Sequence, residues 1–597
     1  MKTKLPTASV YSWRFYSMVL LLLVLLGGLV WHLVSLQVLR NEQRGFEFLQ
    51  AQGSARTLRT QKVAAMRGMI TDRHGEPLAV STPVISLWAN PQELIKHEAH
   101  WGVIAKYMGL KRSVFVDRLK RFQSKEFMYI KRRLAPTIAQ QFIAKKIPGV
   151  HSQQEYRRFY PAGEAAAHLV GFTNVDDKGQ EGLELAYDEW LTGTPGEKQV
   201  LKDLQGRVIK GVSQLQSMES GKDIALSIDL RLQYLAYREL KAAVKAHNAK
   251  SGSVVLLDVQ TGEVLAMANQ PSYNPNARKQ LKVGAMRNRA LTDQFEPGST
   301  MKPLTVMAAL EEGKINAASQ IDTSPGRIRV GRKTLLDPVN YGLVDIQKIL
   351  QKSSQVGITK ISLDLEGDVI RNMFFRLGLG QDTGTGFPGE AVGRLPDYAS
   401  WQPIVQANFA FGYGLTLTPL QLAQAYSVIA NQGVKKPVSL LKTQSPPTQT
   451  NVVKPLIAKS VASMLQSVVQ TGGTGTNAAL ASFGAAGKTG TIHKVGRGGY
   501  EDERYLSLFA GFAPADDPKV VAVVLIDEPS RGQYFGGEVA APVFSRLVES
   551  SLRLLQVQPE RHEDHGVAMQ VLEQQRLKKQ LDQSLVLDER ASKVEAL

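Results

Sequence analysis

The chain of 597 residues contains no cysteine. That excludes disulfides, thiolate metal sites, cysteine nucleophiles and an N-terminal lipid anchor attached through a cysteine. It leaves the compartment open, because an oxidising space permits disulfides without requiring them. Aromatic residues make up only 7% of the chain, and no dense run of lysine and arginine is interleaved with them, although the net charge is +18. The chain is therefore read as binding no nucleic acid. Its positive charge fits solubility and nearness to an anionic membrane or an acidic wall polymer. Metal-site spacing is also missing. His97 and His100 lie three apart rather than at the i, i+4 spacing of a zinc-protease helix, so they read as surface histidines. No metal and no cofactor are expected.

What is present begins with one long apolar run. Residues 15–39 (FYSMVLLLLVLLGGLVWHLVSLQVL) hold serines, His32 and Gln37 as their clearly polar members. Spanning a bilayer takes about 20 residues. A cleaved signal would have a shorter apolar core and a small-residue cleavage site, and none follows here. We read an uncleaved anchor, with residues 1–14 as a cytoplasmic tail and the large C-terminal body exported.

At roughly 100–200 residues per domain, the chain has room for two to four folded units. Residues 40–65 are polar and helix-compatible, a stalk. Residues 67–79 read as two short strands around a polar turn at Arg73–Gly75. Residues 84–88 alternate like a strand, and 93–119 are mostly helical in pattern. A second unit starts near Ile224, with a helix over 230–246, a hairpin over 252–268 turning at Gln260-Thr261-Gly262, and later strands near 506–513 and 519–526. An antiparallel sheet packed with helices fits that order. The fold class is thus α+β: one membrane helix, a stalk and pedestal over 40–223, a catalytic domain over 224–556, and a charged, Gln-rich tail over 557–597.

Three motifs in the second unit carry chemistry. Ser299-Thr300-Met301-Lys302 follows Glu296-Pro297-Gly298 and opens an apolar run that stops at Gly313. Ser299 and Lys302, three apart, share a helix face. A serine hydroxyl needs a base to take its proton, and a lysine serves if burial or another cation lowers its pKa. Ser353-Ser354-Gln355 comes second and Lys488-Thr489-Gly490-Thr491 third. The third can set an ammonium and hydroxyls on a strand edge beside a substrate carboxylate, with glycine admitting the ligand to the backbone. Such an ordered trio is the set of parts of a penicillin-interacting acyl-transfer site. Several look-alikes are set aside. Ser439-x-x-Lys442 lacks a Pro-Gly lead and falls after the second motif. Ser272-Tyr273-Asn274 precedes the nucleophile. Gly472-Gly473-Thr474-Gly475 is a lone glycine-rich loop, and Gly487-Lys488-Thr489 lacks the earlier glycine of a phosphate loop, with Ser482 in its place.

With RGMITDRHGEPLA at 67–79, RRFYPAG at 157–163, PSYNPN at 271–276, EPGSTMKP at 296–303, LQKSSQVG at 350–357, FGYGLTLTPLQLAQAY at 411–426 and AGKTGT at 486–491, the chain resembles the class B penicillin-binding proteins. It is most similar to their septal, cell-division (FtsI-like) branch. The resemblance implies a single-pass inner-membrane D,D-transpeptidase that cross-links peptidoglycan stem peptides ending in D-Ala-D-Ala and is a target of β-lactams. It implies Ser299 as nucleophile, Lys302 as its base and Ser353 as the proton donor to the leaving group. Lys488, Thr489 and Thr491 would hold the substrate carboxylate, with Gly490 between them, and the N–H groups of Ser299 and Thr491 would form the oxyanion hole. It also implies a lipid-linked glycan-strand polymerase and other division proteins as partners of the pedestal. One position departs: the family's second motif ends in asparagine, and this chain has Gln355. Two readings stay beside the septal enzyme. One is an elongation-branch transpeptidase, separated by round cells rather than filaments on depletion. The other is a non-catalytic β-lactam-binding scaffold.

Overall fold

The computed structural model describes residues 12–37, 47–48, 53, 58–202, 208–445, 447–496 and 499–559. Of the charged, Gln-rich tail expected over 557–597, the residues beyond 559 lie outside them. Helix Ser12–Gln37 is apolar and exposed around its whole circumference, as a bilayer-facing helix is. Its residues 12–35 are long and apolar enough to cross a membrane.

The described chain falls into two compact units. The first comprises residues 1–66, 82–157 and 193–221. In it, helices Trp101–Met108, Arg112–Arg121 and Pro136–Ile143 cover strand Met128–Leu134. Leu87, Ile104, Phe115, Leu119 and Phe142 form its core. Where a helix-compatible stalk was expected, residues Leu58–Val63 form a strand, paired antiparallel with Gly196–Lys202.

The second unit comprises residues 67–81, 158–192 and 222–597. It thus draws in two segments that the sequence reading placed with the pedestal. Its five-stranded antiparallel sheet runs in the order Val264–Gln270, Ser251–Asp258, Val520–Asp527, Gly499–Ala513, Ala486–Gly496. Strands buried on both faces need apolar residues at odd and even positions. Val254, Leu256, Val520, Ala522 and Val524 pack on one face with helices Leu230–Ala246 and Ala541–Leu554. Val255, Leu257, Val521, Val523 and Leu525 pack on the other with helices Lys302–Glu311 and Pro419–Ala430.

The two early segments meet in a buried ion cluster. Glu184 takes Arg67 Nε on Oε2 at 2.7 Å and Arg158 Nε on Oε1 at 2.6 Å, with all three side chains almost wholly buried. Arg67 Nη1 also reaches Asp188 at 2.7 Å. Removing one partner of such a cluster leaves buried charge uncompensated. Glu184→Gln is therefore expected to destabilise the protein by about 3–5 kcal/mol, read as a lowered urea or thermal midpoint.

Candidate active site

Ser299 stands on a single 3₁₀ turn, Gly298–Met301, that runs into helix Lys302–Glu311. That helix is buried on every side, so its sequence shows boundaries but little amphipathic alternation. Gly298 has φ +55°, and a Cβ there would lie 2.7 Å from Ile492 Cγ1. Gly412 has φ +89°, and its Cβ would lie 2.2 Å from the Gly298 carbonyl oxygen. Only glycine fits either place. The Gly298–Met301 turn is clamped between the Lys488–Thr491 strand and the start of the 411–426 motif. Gly298 N donates to Gly412 O at 3.0 Å, and Gly414 N to Glu296 Oε1 at 2.8 Å. Tyr426 OH donates to Thr300 O at 2.8 Å. This explains the 411–426 motif, which carries no catalytic side chain of its own: it holds the backbone on which Ser299 rides.

Lys302 is fully buried. Its Nζ donates to Ser353 O at 2.5 Å and Ser353 Oγ at 3.2 Å. Burial lowers its pKa to about 7, against the charge of Asp337, which raises it. A neutral amine has two N–H donors and one lone pair. Both donors are used on Ser353, which leaves the lone pair to accept the proton of Ser299, one turn away. Ser299 is half-buried, and among the described residues its hydroxyl makes no hydrogen bond. Ser353 itself sits in the left-handed region, φ 58° and ψ 38°, at the end of helix Ile346–Lys352. A non-glycine residue there is strained. The conformation lets one residue present both its carbonyl and its hydroxyl to the same Lys302 nitrogen.

Sequence reasoning missed Asp337. This buried carboxylate accepts from Ser354 Oγ at 2.5 Å on Oδ2, and on Oδ1 from Gln355 N at 2.5 Å and Val356 N at 3.2 Å. Ser354 Oγ in turn accepts from Gly357 N at 2.9 Å, capping helix Gln355–Leu363. The middle residue of the second motif is thus a helix cap, and Asp337 locks the cap. Gln355 contributes its backbone N–H to this lock, while its half-buried side-chain amide makes no hydrogen bond among the described residues. The amide of the glutamine is one methylene further from its backbone than that of an asparagine. Gln355→Asn is expected to change the acylation rate with penicillin upward, by as much as about 100-fold for a displacement near 1 Å. The unfolding midpoint should stay put, because the structural bond of residue 355 is made by its main chain. An unchanged acylation rate would remove the reason to single this residue out.

Lys488 is the second fully buried cation. Burial, and then the charge of Lys302, hold its pKa well below the usual lysine range. Its Nζ approaches Thr489 O at 3.3 Å and Oγ1 at 3.5 Å. Thr489 Oγ1 lies 2.9 Å from Thr474 Oγ1, which gives the glycine-rich loop at 472–475 a place at the site. Thr491 Oγ1 accepts from Gly536 N at 2.9 Å and so keeps its own proton to donate. A Cβ on Gly490 would stand 3.3 Å from the Pro297 carbonyl, so the strand passes close against the Gly298–Met301 turn. Beside Gly536, Tyr505 and Tyr534 stack at 4.1 Å and Phe535 follows at 4.4 Å, half-exposed. The structure brings Ser299, Lys302, Ser353, Gln355, Lys488, Thr489, Gly490 and Thr491 together from three stretches of the chain, 298–302, 353–355 and 488–491. Among the described residues no group of three or more His, Asp or Glu could hold a metal ion.

The "Penicillin binding protein transpeptidase domain" matches residues 252–549, and the "Penicillin-binding Protein dimerisation domain" matches residues 62–226. The "Peptidoglycan D,D-transpeptidase FtsI" of Escherichia coli (strain K12) is 42% identical over 560 residues, covering 93% of this chain and 94% of that one. The chain belongs to the class B penicillin-binding proteins. The "Probable peptidoglycan D,D-transpeptidase PbpC" of Pseudomonas aeruginosa is 40% identical over 553 residues, 93% of this chain and 97% of that one. Among solved structures, the transpeptidase domain of Burkholderia pseudomallei penicillin-binding protein 3 is similar with a TM-score of 0.52 and 42% identity, covering 56% of this chain and 98% of that one. Penicillin-binding protein 3 of Mycobacterium tuberculosis, solved with aztreonam, is similar with a TM-score of 0.65 and 27% identity, covering 84% of this chain and 98% of that one. In this penicillin-binding protein, backbone contacts hold the turn that carries Ser299, and Asp337 holds the helix cap at Ser354.

Proposed function

We propose that Ser299, Lys302, Ser353 and Lys488 carry the chemistry of this enzyme. It is an FtsI-like peptidoglycan D,D-transpeptidase that binds β-lactams. Ser299 Oγ attacks the carbonyl carbon of the D-Ala–D-Ala bond while its proton passes to neutral Lys302. The oxyanion sits between the backbone N–H groups of Ser299 and Thr491, where fixed donors stabilise developing charge. Ser353, bonded to Lys302, hands the proton to the departing D-Ala nitrogen as the C–N bond breaks. Lys488, Thr489 and Thr491 hold the substrate's terminal carboxylate, whose charge also favours recharging Lys488. An amine from a neighbouring stem then attacks the Ser299 ester, its proton returns through Lys302, and Ser299 is restored. A β-lactam forms the same ester and leaves slowly.

The observation that carries this reading is the buried Lys302 amine, with pKa about 7, held on Ser353 one turn from Ser299. Helix Ser12–Gln37 supports a single-pass anchor, with the catalytic unit on the periplasmic side. The residues of the dimerisation-domain match, 62–226, would meet a lipid-linked strand polymerase and other division proteins. The test is intact-mass analysis of the full-length protein after incubation with a penicillin, beside Ser299→Ala. A single penicilloyl adduct in the wild type, absent from the variant, is expected. An unmodified wild type with a normal unfolding transition would move the assignment to a non-catalytic scaffold.

A further inference from the structure

Strands Arg327–Val330 and Lys333–Leu336 form a hairpin with a two-residue connection, Gly331-Arg332. It holds four cations, Arg327, Arg329, Arg332 and Lys333, and residues 323–336 contain no aspartate or glutamate. All four are exposed, and among the described residues none is in an ion pair. Arg329 Nε spends one bond on Gly331 O at 3.3 Å.

The register sorts the side chains. Arg327 stands opposite Leu336 and Arg329 opposite Thr334. Residues directly opposite share a face of a two-stranded sheet, so these four lie together, and all four are exposed. Ile328, Val330 and Leu335 lie on the other face, half-buried or buried, with exposed Lys333 opposite Val330 and Arg332 in the turn. Leu336 on that face is 58% exposed, and two more apolar side chains further along the chain are left in solvent, Val339 at 57% and Leu343 at 63%. A solvated surface gains nothing from such side chains, and like charges on one face repel. A polyanion would relieve that repulsion.

The hairpin is fastened to the catalytic cleft. Asp337, next in the chain after Leu336, bonds Ser354, Gln355 and Val356. At about 3.3 Å per residue, the tip of the hairpin lies on the order of 15 Å from that anchor. Resting on the transpeptidase reading, the substrate supplies the complementary charge. Every stem ending in D-Ala-D-Ala carries a terminal carboxylate, so a strand of un-cross-linked stems is a polyanion with stems at regular intervals. We infer that the Arg327–Leu336 hairpin is a binding surface for the stem-peptide carboxylates of a peptidoglycan strand, holding neighbouring stems while one of them reacts at Ser299.

The test uses full-length protein in detergent, co-sedimented with isolated, enzymatically cleaned peptidoglycan at low and moderate salt. Arg327→Glu/Arg329→Glu is compared with wild type, with the milder Arg327→Gln/Arg329→Gln, and with Lys120→Glu/Arg121→Glu, which changes net charge equally in the other unit. Roughly tenfold weaker sedimentation of the glutamate pair is expected, an intermediate loss for the glutamine pair, and less than about twofold for the control. Salt should weaken the wild type most, since exposed charges are screened. Penicillin acylation of all variants should stay within about twofold. Hairpin variants that sediment like wild type, or a control that loses as much, would overturn the inference. So would vesicles of anionic phospholipid that lose binding with the hairpin variants while peptidoglycan keeps it; that result assigns the surface to lipid. A wild type that is not acylated at all would instead count against the transpeptidase reading.

Discussion

Lys302→Met is expected to lower the rate of penicillin acylation by roughly 10³-fold, within the range of about 10²–10⁴ that a positioned base contributes. Methionine fills nearly the same buried volume without a basic nitrogen, so the loss reports chemistry rather than collapse of the helix. The protein should unfold at a midpoint no lower than the wild type by more than a few degrees, because the substitution also removes a buried ionisable group. The wild-type acylation rate should depend on pH in one direction. Lys302 must be neutral to take the Ser299 proton, and its pKa is about 7. The rate should rise as pH rises through about 7 and level off above about 8, falling tenfold per unit below about 6. Lys302→Met should lose that rise together with the rate. A flat wild-type profile between pH 5 and 9 would remove Lys302 as the base, since the neutral fraction of a lysine with a pKa near 7 or at its ordinary value rises with pH within that window.

What could be read from the sequence was set by how locally each feature is encoded. Ser299 and Lys302 are three residues apart on one helical turn, and Lys488 to Thr491 are contiguous, so their chemistry is visible as spacing. Helix Leu230–Ala246 and the 252–268 hairpin follow local periodicity and a Gly-containing turn, and the structure has both. Strand Leu58–Val63 was not legible. Its sequence LRTQKV is polar, and its partner strand begins at Gly196. The pairing, rather than any local preference, makes it a strand. The work of residues 411–426 was legible as a motif but not as a role, because Gly412 acts by letting a distant carbonyl approach. Asp337 carried no signal at all. It stands 17 residues before Ser354 in the chain, in a segment with no motif, and becomes a site residue only when the fold lays it across the start of helix Gln355–Leu363.

Asp337→Asn is expected to slow acylation by about 100-fold, the scale of a displacement near 1 Å in a catalytic group. The hydrogen-bond inventory makes the reason specific. Ser354 Oγ already accepts from Gly357 N, so its proton must go to Asp337 Oδ2, while Oδ1 accepts two backbone N–H groups. An asparagine offers one oxygen where two are needed, and its NH₂ would face a donor whichever way it is turned. The cap loosens, at a cost of about 1–3 kcal/mol for a buried donor left unmet, and the helix N-terminus loses a favourable negative charge. Ser353 precedes Ser354 directly, so the carbonyl and hydroxyl that hold Lys302 lose their fixed position. A structural defect alone would lower rate and stability together. A second effect separates the two: the charge of Asp337 raises the pKa of Lys302, so its removal should move the rise in acylation rate to lower pH. The variant would then be slower at its plateau yet reach that plateau earlier on the pH axis. A profile whose midpoint stays at the wild-type value, with only the plateau lowered, would leave Asp337 as a helix cap with no hold on the base.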